Sequence, residues 1–247
     1  MKVKKKKNNK SSLLISITAS LLLVSALVIG VYAAFIKIKS AFPVRRVIFI
    51  GNKHLTSDEL RALSGVRRNA NLITLSGKKV SKKLLESPWI RSVSVRKDFP
   101  DTLSVTVSEV VPFALLDVNG HLFIINEKGE LLEELKGNII PFLPIITGDP
   151  SREGEGLSEA LTLAKTMNDM GLSSERDQIE IVLSKPQELT SVIEGMVVKV
   201  GVGDYKEKLQ RLLELEEDIQ RRQITVDYID VRFANRVVVK PIKEVIR

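Results

Sequence analysis

FPVRRVIFIGNKHLTSDELRALSG, residues 42–65, carries a strand, a turn and a helix in one short reach of chain. Residues 47–50 form an unbroken apolar run suited to a buried strand, and Gly51-Asn52 marks the turn that ends it. Thr56 stands three residues before Glu59, the spacing of a capping box, while Leu55 and Leu60 flank the cap as a hydrophobic staple does. Two independent start signals therefore predict a helix over residues 57–64, stopped by Gly65.

Working outward toward the C-terminus, NLITL (71–75) leads into SGKKVSKKLLES, where Val80 and Leu84 share a helical face and Pro88 forbids continuation beyond Ser87. WIRSVSVRKDFPDTLSVTVSEV then alternates at period two. Trp89, Val93 and Val95 fall on one face, and Leu103, Val105 and Val107 follow a Phe-Pro-Asp-Thr turn. Residues 42–110 thus read as a complete β-α-α-β-β unit, with three strands that leave an exposed sheet edge.

Working outward toward the N-terminus, residues 13–36 contain no charge, and at about 1.5 Å per residue they are long enough to cross a hydrocarbon core of roughly 30 Å. We read residues 11–36 as a transmembrane helix behind a basic tail, 1–10, that holds six lysines. The Lys-rich flank places the N-terminus in the cytoplasm and the bulk of the chain outside it. Val31-Tyr32-Ala33 has the small-residue spacing of a signal-peptide cleavage site, but the apolar core exceeds the usual roughly 7–15 residues, which favours a retained anchor. The formal charge of +8 belongs to these flanks, since from residue 47 onward 28 basic residues face 30 acidic ones. A near-neutral body argues against a phosphate-tracking nucleic-acid surface. Without cysteine there is no disulfide framework, thiolate nucleophile or Cys-based metal site.

Beyond Pro112 the texture changes to hairpins, with turns at Asn119-Gly120 and at Glu127-Lys128-Gly129, and with LPIITGDP closing that meander. A helix is expected from about residue 157 to 170, with Leu157, Leu161, Ala164 and Met167 on its buried stripe. Three strand candidates (DQIEIVLS, ELTSVIEG, MVVKVGVG) precede a long helix over about residues 205–221, with Asp204 as its N-cap and Leu209, Leu212, Leu213 and Ile219 as its core face. ITVDYIDVRFANRVVVKP then gives two strands with a turn near Ala234-Asn235. This second domain, 111–241, is a larger mixed α/β unit rich in antiparallel hairpins, and a tail, 242–247, follows it. The fold class is α+β.

The order of these elements resembles the FtsQ/DivIB family of bacterial cell-division proteins over essentially the whole chain. FPVRRVIFIGNKHLTSDEL and PWIRSVSVRKDFPDTLSVTVSE are similar to the family's POTRA-type unit. LPIITG, the GDYKEKLQRLLEL helix and YIDVRFANRVVVKP support the resemblance in the second half. Departures are Arg236, where many relatives carry Gly, and Pro241, where an aromatic is frequent. The resemblance implies a bitopic scaffold of the division machinery at the septum, linking early and late division proteins through contacts with FtsB and FtsL chiefly.

His54 and His121, about 67 residues apart in expected turns, have no second histidine at i+3 or i+4 with which to make a metal site. Asp227 and Asp230, three apart on an alternating strand, point to opposite faces, whereas Asp230 and Arg232 share one and suit an ion pair. Gly201-Val-Gly203 before Asp204 lacks a full phosphate-binding pattern and reads as a structural turn. No nucleophile-base constellation emerges, and no cofactor or small-molecule substrate is implied. The expectation is therefore a protein that is not an enzyme; the alternative is a membrane-anchored extracytoplasmic enzyme or cell-wall hydrolase, betrayed by acidic residues or histidines clustered in a deep pocket.

The candidate partner-binding residues are Arg232, Phe233, Asn235, Arg236, Val237 and Val239. In this reading residues 233–240 form an edge strand at the membrane-distal end of the second domain, to which the partner adds a strand. Phe233, Asn235, Val237 and Val239 share one face; Arg232 and Arg236 offer charge to an acidic partner; and a proline at Val238 removes a needed donor provided its N–H faces outward. The alternative is a merely protected edge, with Arg236, Lys240 and Pro241 guarding against aggregation.

Overall fold

A computed structural model describes residues 9–68, 70–137, 140–152, 154–176, 178–234 and 236–242. Helix α1 (Asn9–Ala41) contains one stretch, Ser16–Ala33, long and apolar enough to cross a membrane, and its large apolar side chains lie exposed as lipid contact requires. The chain divides into two compact units, Met1–Glu109 and Val110–Arg247. Their charges oppose each other. Residues 42–109 carry thirteen Lys and Arg against six Asp and Glu, and residues 110–247 carry 17 against 24. The near-neutral body inferred from the total is thus a cancellation between a basic unit and an acidic one.

In the first unit, β1 (Arg46–Ile50), α2 (Ser57–Ser64), α3 (Gly77–Leu84), β2 (Ile90–Asp98) and β3 (Thr102–Glu109) follow in the expected order. β1 runs parallel to β3 and β2 antiparallel to it, giving the order β1-β3-β2. The two helices bury Leu60, Val80 and Leu84 against Leu103, Val105 and Val107 of the central strand. The capping box forms: Thr56 Oγ1 accepts from Glu59 N–H at 3.3 Å and Glu59 Oε2 accepts from Thr56 N–H at 2.7 Å, a cap of about 1 kcal/mol. Gly65 stops α2 in the left-handed region at φ +62°, where a β-carbon would also strike Lys83.

Glu109 is a feature that strand periodicity could not announce. Its carboxylate accepts from the N–H groups of Lys53, His54 and Leu55 at 3.0, 2.7 and 3.0 Å, tying the end of β3 to the loop before α2. Burial pushes its pKa up, but the three backbone donors outweigh burial and hold the carboxyl below the usual range. Trp89 does not join the strand face with Val93 and Val95. It precedes β2 and lies buried with His54 stacked on it, ring centroids 3.6 Å apart.

The second unit contains β4 (Ala114–Val118), β5 (His121–Ile125), β6 (Leu131–Glu134), β7 (Ile145–Thr147), α4 (Gly154–Asp169), α5 (Leu172–Glu175), β8 (Ile179–Val182), β9 (Thr190–Ile193), β10 (Met196–Lys199), α6 (Tyr205–Arg222), β11 (Val226–Asp230) and β12 (Val238–Pro241). One nine-stranded sheet has the order β12-β11-β10-β9-β8-β7-β4-β5-β6. The segment LPIITGDP does not extend the β4-β5-β6 meander. Its strand, β7, lies on the far side of β4 and runs parallel to both β4 and β8, so the hairpin pattern is interrupted there.

Helices α4 and α6 cover the core. The α4 stripe is centred on Ala160, Leu163, Ala164 and Met167, while Leu157 and Leu161 sit only at its margin. Gly156 marks the closest approach, since a β-carbon there would meet the carbonyl oxygen of Ser184. Asp204 does not cap α6 through its side chain, because the residue itself adopts the left-handed region at φ +47°. Instead the buried Lys208 reaches back to donate to the carbonyls of Val200 at 3.0 Å and Val202 at 2.8 Å, closing the Gly201-Val-Gly203 turn. Leu209 and Leu212 are core residues.

A candidate protein-docking edge

The last strand of the nine-stranded sheet is β12, paired antiparallel to β11 on one side and to nothing described on the other. Val238 lies opposite Asp230, Val239 opposite Ile229 and Lys240 opposite Tyr228, with an irregularity at Asp227. Two hydrogen bonds fix which amides face outward. Ile242 N–H donates to Thr225 O at 2.9 Å, on the β11 side, and Val231 N–H donates to Lys199 O at 3.0 Å, on the β10 side. Alternation then turns the N–H groups of Val238 and Lys240 inward toward β11 and that of Val239 outward. Val238 is therefore the wrong place to remove an outward donor. Pro241 has no N–H, so the open ladder ends at Val239.

The turn before β12 is held from α6. Arg211 Nη1 donates to Phe233 O at 2.8 Å and also to Ala234 O, so Phe233 sits in a turn and the expected strand over residues 233–240 begins only at Val238. A cation fixed on these carbonyls prevents them from entering a ladder. Phe233 is exposed, with the Arg236 guanidinium 4.6 Å from its ring centroid. Val237 and Val239 are half-buried, and Val237 packs against the main core. Asn235 lies outside the described residues.

Arg232 is less available than the sequence implies. Its Nε and Nη2 donate to the buried Asp230 carboxylate at 2.9 and 2.6 Å, and its own N–H adds a third bond at 3.1 Å. The Arg232 hydrogen bonds lead in holding the Asp230 carboxyl below its ordinary range, against the opposing effect of burial. Most of the guanidinium fork is thus spent inside the domain, which leaves Arg236 as the better-placed cation for a partner.

Sequence periodicity missed a row across three strands: Lys199 of β10 lies 4.0 Å and Lys240 of β12 lies 5.2 Å from the ring centroid of Tyr228. Lys240 also pairs with Asp227 at 2.6 Å, a bond that raises the lysine pKa. Asp227 and Asp230 hold different cations, Lys240 and Arg232, and the irregularity at Asp227 interrupts the alternation that would set the two carboxylates on opposite faces. The alternating spacing of Lys199, Tyr228 and Lys240 on their own strands was visible, but their juxtaposition depends on the parallel β10-β11 register.

His121 opens β5 rather than occupying a turn, with Nδ1 3.0 Å from Glu134 Oε1. Among the described residues there is no group of three His, Cys, Asp or Glu placed to hold a metal. A depression of about 360 Å³ beside β7 and β8 is lined mainly by apolar and proline residues, including Phe142, Leu143 and Pro144. Its Arg176 is already bonded to Glu194 and Glu216.

The chain thus joins a helix long and apolar enough to cross a membrane, a small β-α-α-β-β unit and a larger sheet with an open edge. Residues 42–109 match the FtsQ-type POTRA domain, and residues 113–232 match the C-terminal domain of the cell division protein FtsQ/DivIB. The chain belongs to the FtsQ/DivIB family of cell-division proteins. It is 35% identical to cell division protein FtsQ of Geobacter sp. (strain M21) over 201 residues, covering 77% of this chain and 73% of that one. FtsQ of Syntrophotalea carbinolica is 30% identical over 217 residues, with 81% and 74% covered. The major extracytoplasmic domain of DivIB from Geobacillus stearothermophilus is similar over 46% of this chain and 97% of its own, at a TM-score of 0.33 and 19% identity.

Proposed function

We propose that this chain is a bitopic scaffold of the divisome that captures a partner by strand addition along β12. The layout is a cytoplasmic tail 1–10, a span within 11–36, a POTRA-type domain 42–110 and an FtsQ-type β domain 111–241, with the bulk of the chain extracytoplasmic at the septum. FtsB, together with FtsL, is the partner expected from the family. The scaffold links early and late division proteins and performs no catalysis of its own. The observation that carries this reading is the open side of β12, where Val239 presents a main-chain donor close in sequence to the exposed Phe233 and Arg236. Main-chain bonds supply affinity there, and side chains at alternate positions supply specificity.

The test is capture of FtsB by the detergent-solubilised full chain carrying Val239→Pro, with folding followed by circular dichroism. Loss of capture by a folded variant supports the proposal. Capture at the wild-type level by that variant refutes it.

A further inference from the structure

The first unit carries a basic surface that strand addition at β12 does not use. Arg45, Arg61, Arg67 and Arg68 line a depression of about 330 Å³, and Arg67, Lys79 and Lys83 line an adjoining one of about 610 Å³. Arg67 belongs to both, so the two form one basic trough along α2 and α3. Among the described residues none of these six cations forms an ion pair. Asp101, whose charge reaches Arg45, is already held by Arg46 at 3.3 Å and by Thr102. Helix C-termini account for Arg61 and Lys83, each in the last turn of its helix. They do not account for Arg45, Arg67 and Arg68, which lie outside helices.

The position of the trough along the chain identifies its ligand. Val44 N–H donates to Ala70 O at 2.7 Å and Leu72 N–H donates to Phe42 O at 2.8 Å, with Pro43 bridged to Asn71. These bonds staple the loop that follows Arg67 and Arg68 to the residues directly after α1, which ends at Ala41. The apolar stretch of α1 reaches Ala33, so eight helical residues, about 12 Å, separate it from this staple. The trough is therefore tethered within reach of the surface into which α1 emerges. A membrane surface at that distance offers phosphate groups, which arginine holds in forked pairs and lysine as point charges.

We infer that the Arg45–Arg61–Arg67–Arg68–Lys79–Lys83 trough docks the first unit onto anionic phospholipid headgroups of the leaflet where α1 emerges. Lipid docking gives the basic unit a membrane-facing role and leaves the acidic second unit free for protein contact. The inference rests on α1 as a membrane anchor, and incorporation of the full chain into lipid nanodiscs reports that anchor separately.

The absence of cysteine from the chain permits a direct test. A spin label is placed at Thr74→Cys, an exposed position lining the trough, or at the exposed Ser94→Cys on β2 as a control, in the full chain in nanodiscs. With phosphatidylglycerol present, collision of the Thr74 label with a water-soluble relaxer should fall at least about twofold relative to pure phosphatidylcholine. The loss should reverse in about 1 M salt, where the screening length is roughly 3 Å. Arg61→Gln/Arg67→Gln/Arg68→Gln/Lys83→Gln should abolish it while leaving nanodisc incorporation and the circular dichroism spectrum intact. Equal accessibility in both lipids overturns the inference, as does a fall that the quadruple variant retains or that the Ser94 label shares.

Discussion

Among the described residues the nine-stranded sheet has two open edges, β12 and β6, built to opposite ends. β6 reads LLEE, and its adjacent Glu133 and Glu134 place two carboxylates on a four-residue strand whose pairing with β5 is broken by a register shift. Leu135 N–H donates inward to Leu122 O at 2.8 Å, so by alternation the Glu134 amide of β6 faces outward. An incoming strand meets the Glu134 carboxylate beside that amide, with His121 Nδ1 3.0 Å from it, and charge on an edge strand is a recognised protection against edge pairing. On β12 the corresponding outward amide is that of Val239, a half-buried valine, and the nearby Lys240 is already neutralised by Asp227. An edge is thus closed by where its charges sit relative to its free amides, not by whether it carries charges.

The largest effect expected of a change at β12 comes from Val238→Pro. Its N–H faces β11, so the proline removes a ladder bond and should lower stability by about 2–4 kcal/mol in urea unfolding. An unchanged midpoint would mean that the β12 phase is reversed and that Val238, not Val239, is the outward donor.

Asp230→Asn comes next, at about 1–3 kcal/mol, because Arg232 loses its buried charged acceptor while the guanidinium itself remains partly solvated. The carboxyl pKa is depressed in the fold, so the pair's contribution is fully present above about pH 4 and is lost as pH falls through the folded value. Wild-type stability should therefore drop more steeply than that of the asparagine variant below about pH 4, a difference that chemical unfolding at a series of pH values would measure.

Phe233→Ala should weaken partner capture by about 1–2 kcal/mol with little loss of stability, since the ring is exposed and lies against the Arg236 guanidinium. Titration calorimetry would read this. Smallest is Lys240→Gln, a barely measurable loss of thermal stability that shrinks further at high salt, because both members of the Asp227 pair are half exposed. A larger effect would mean that the row Lys199–Tyr228–Lys240 is a cooperative support of the edge.

Local signals carried the fold where each element announces itself. Thr56 and Glu59 located α2 to the residue, and Asn119-Gly120 located the β4-β5 turn, because capping and tight turns depend on neighbours in sequence. β7 was misplaced since three residues of IIT cannot state which side of β4 they pair with. Asp204 was assigned as a cap from its residue type, although Lys208 closes that turn from one helical turn further along. At the candidate edge, periodicity placed Val237 and Val239 on one face, but the start of β12 was obscured. The Arg211 clamp on Phe233 and Ala234 comes from a helix more than twenty residues away in sequence. The basic trough was hidden for a different reason: charge summed over both units cancels, and only the boundary at Glu109 separates them.

Pairing of a partner with β12 rather than β6 is read by amide hydrogen exchange resolved to single residues on the full chain in detergent, with and without FtsB. The Val239 amide, open in the free protein, should slow by at least about tenfold on binding while that of Glu134 keeps its rate. Bound FtsB with unchanged exchange at Val239, or with protection at Glu134 instead, would contradict it.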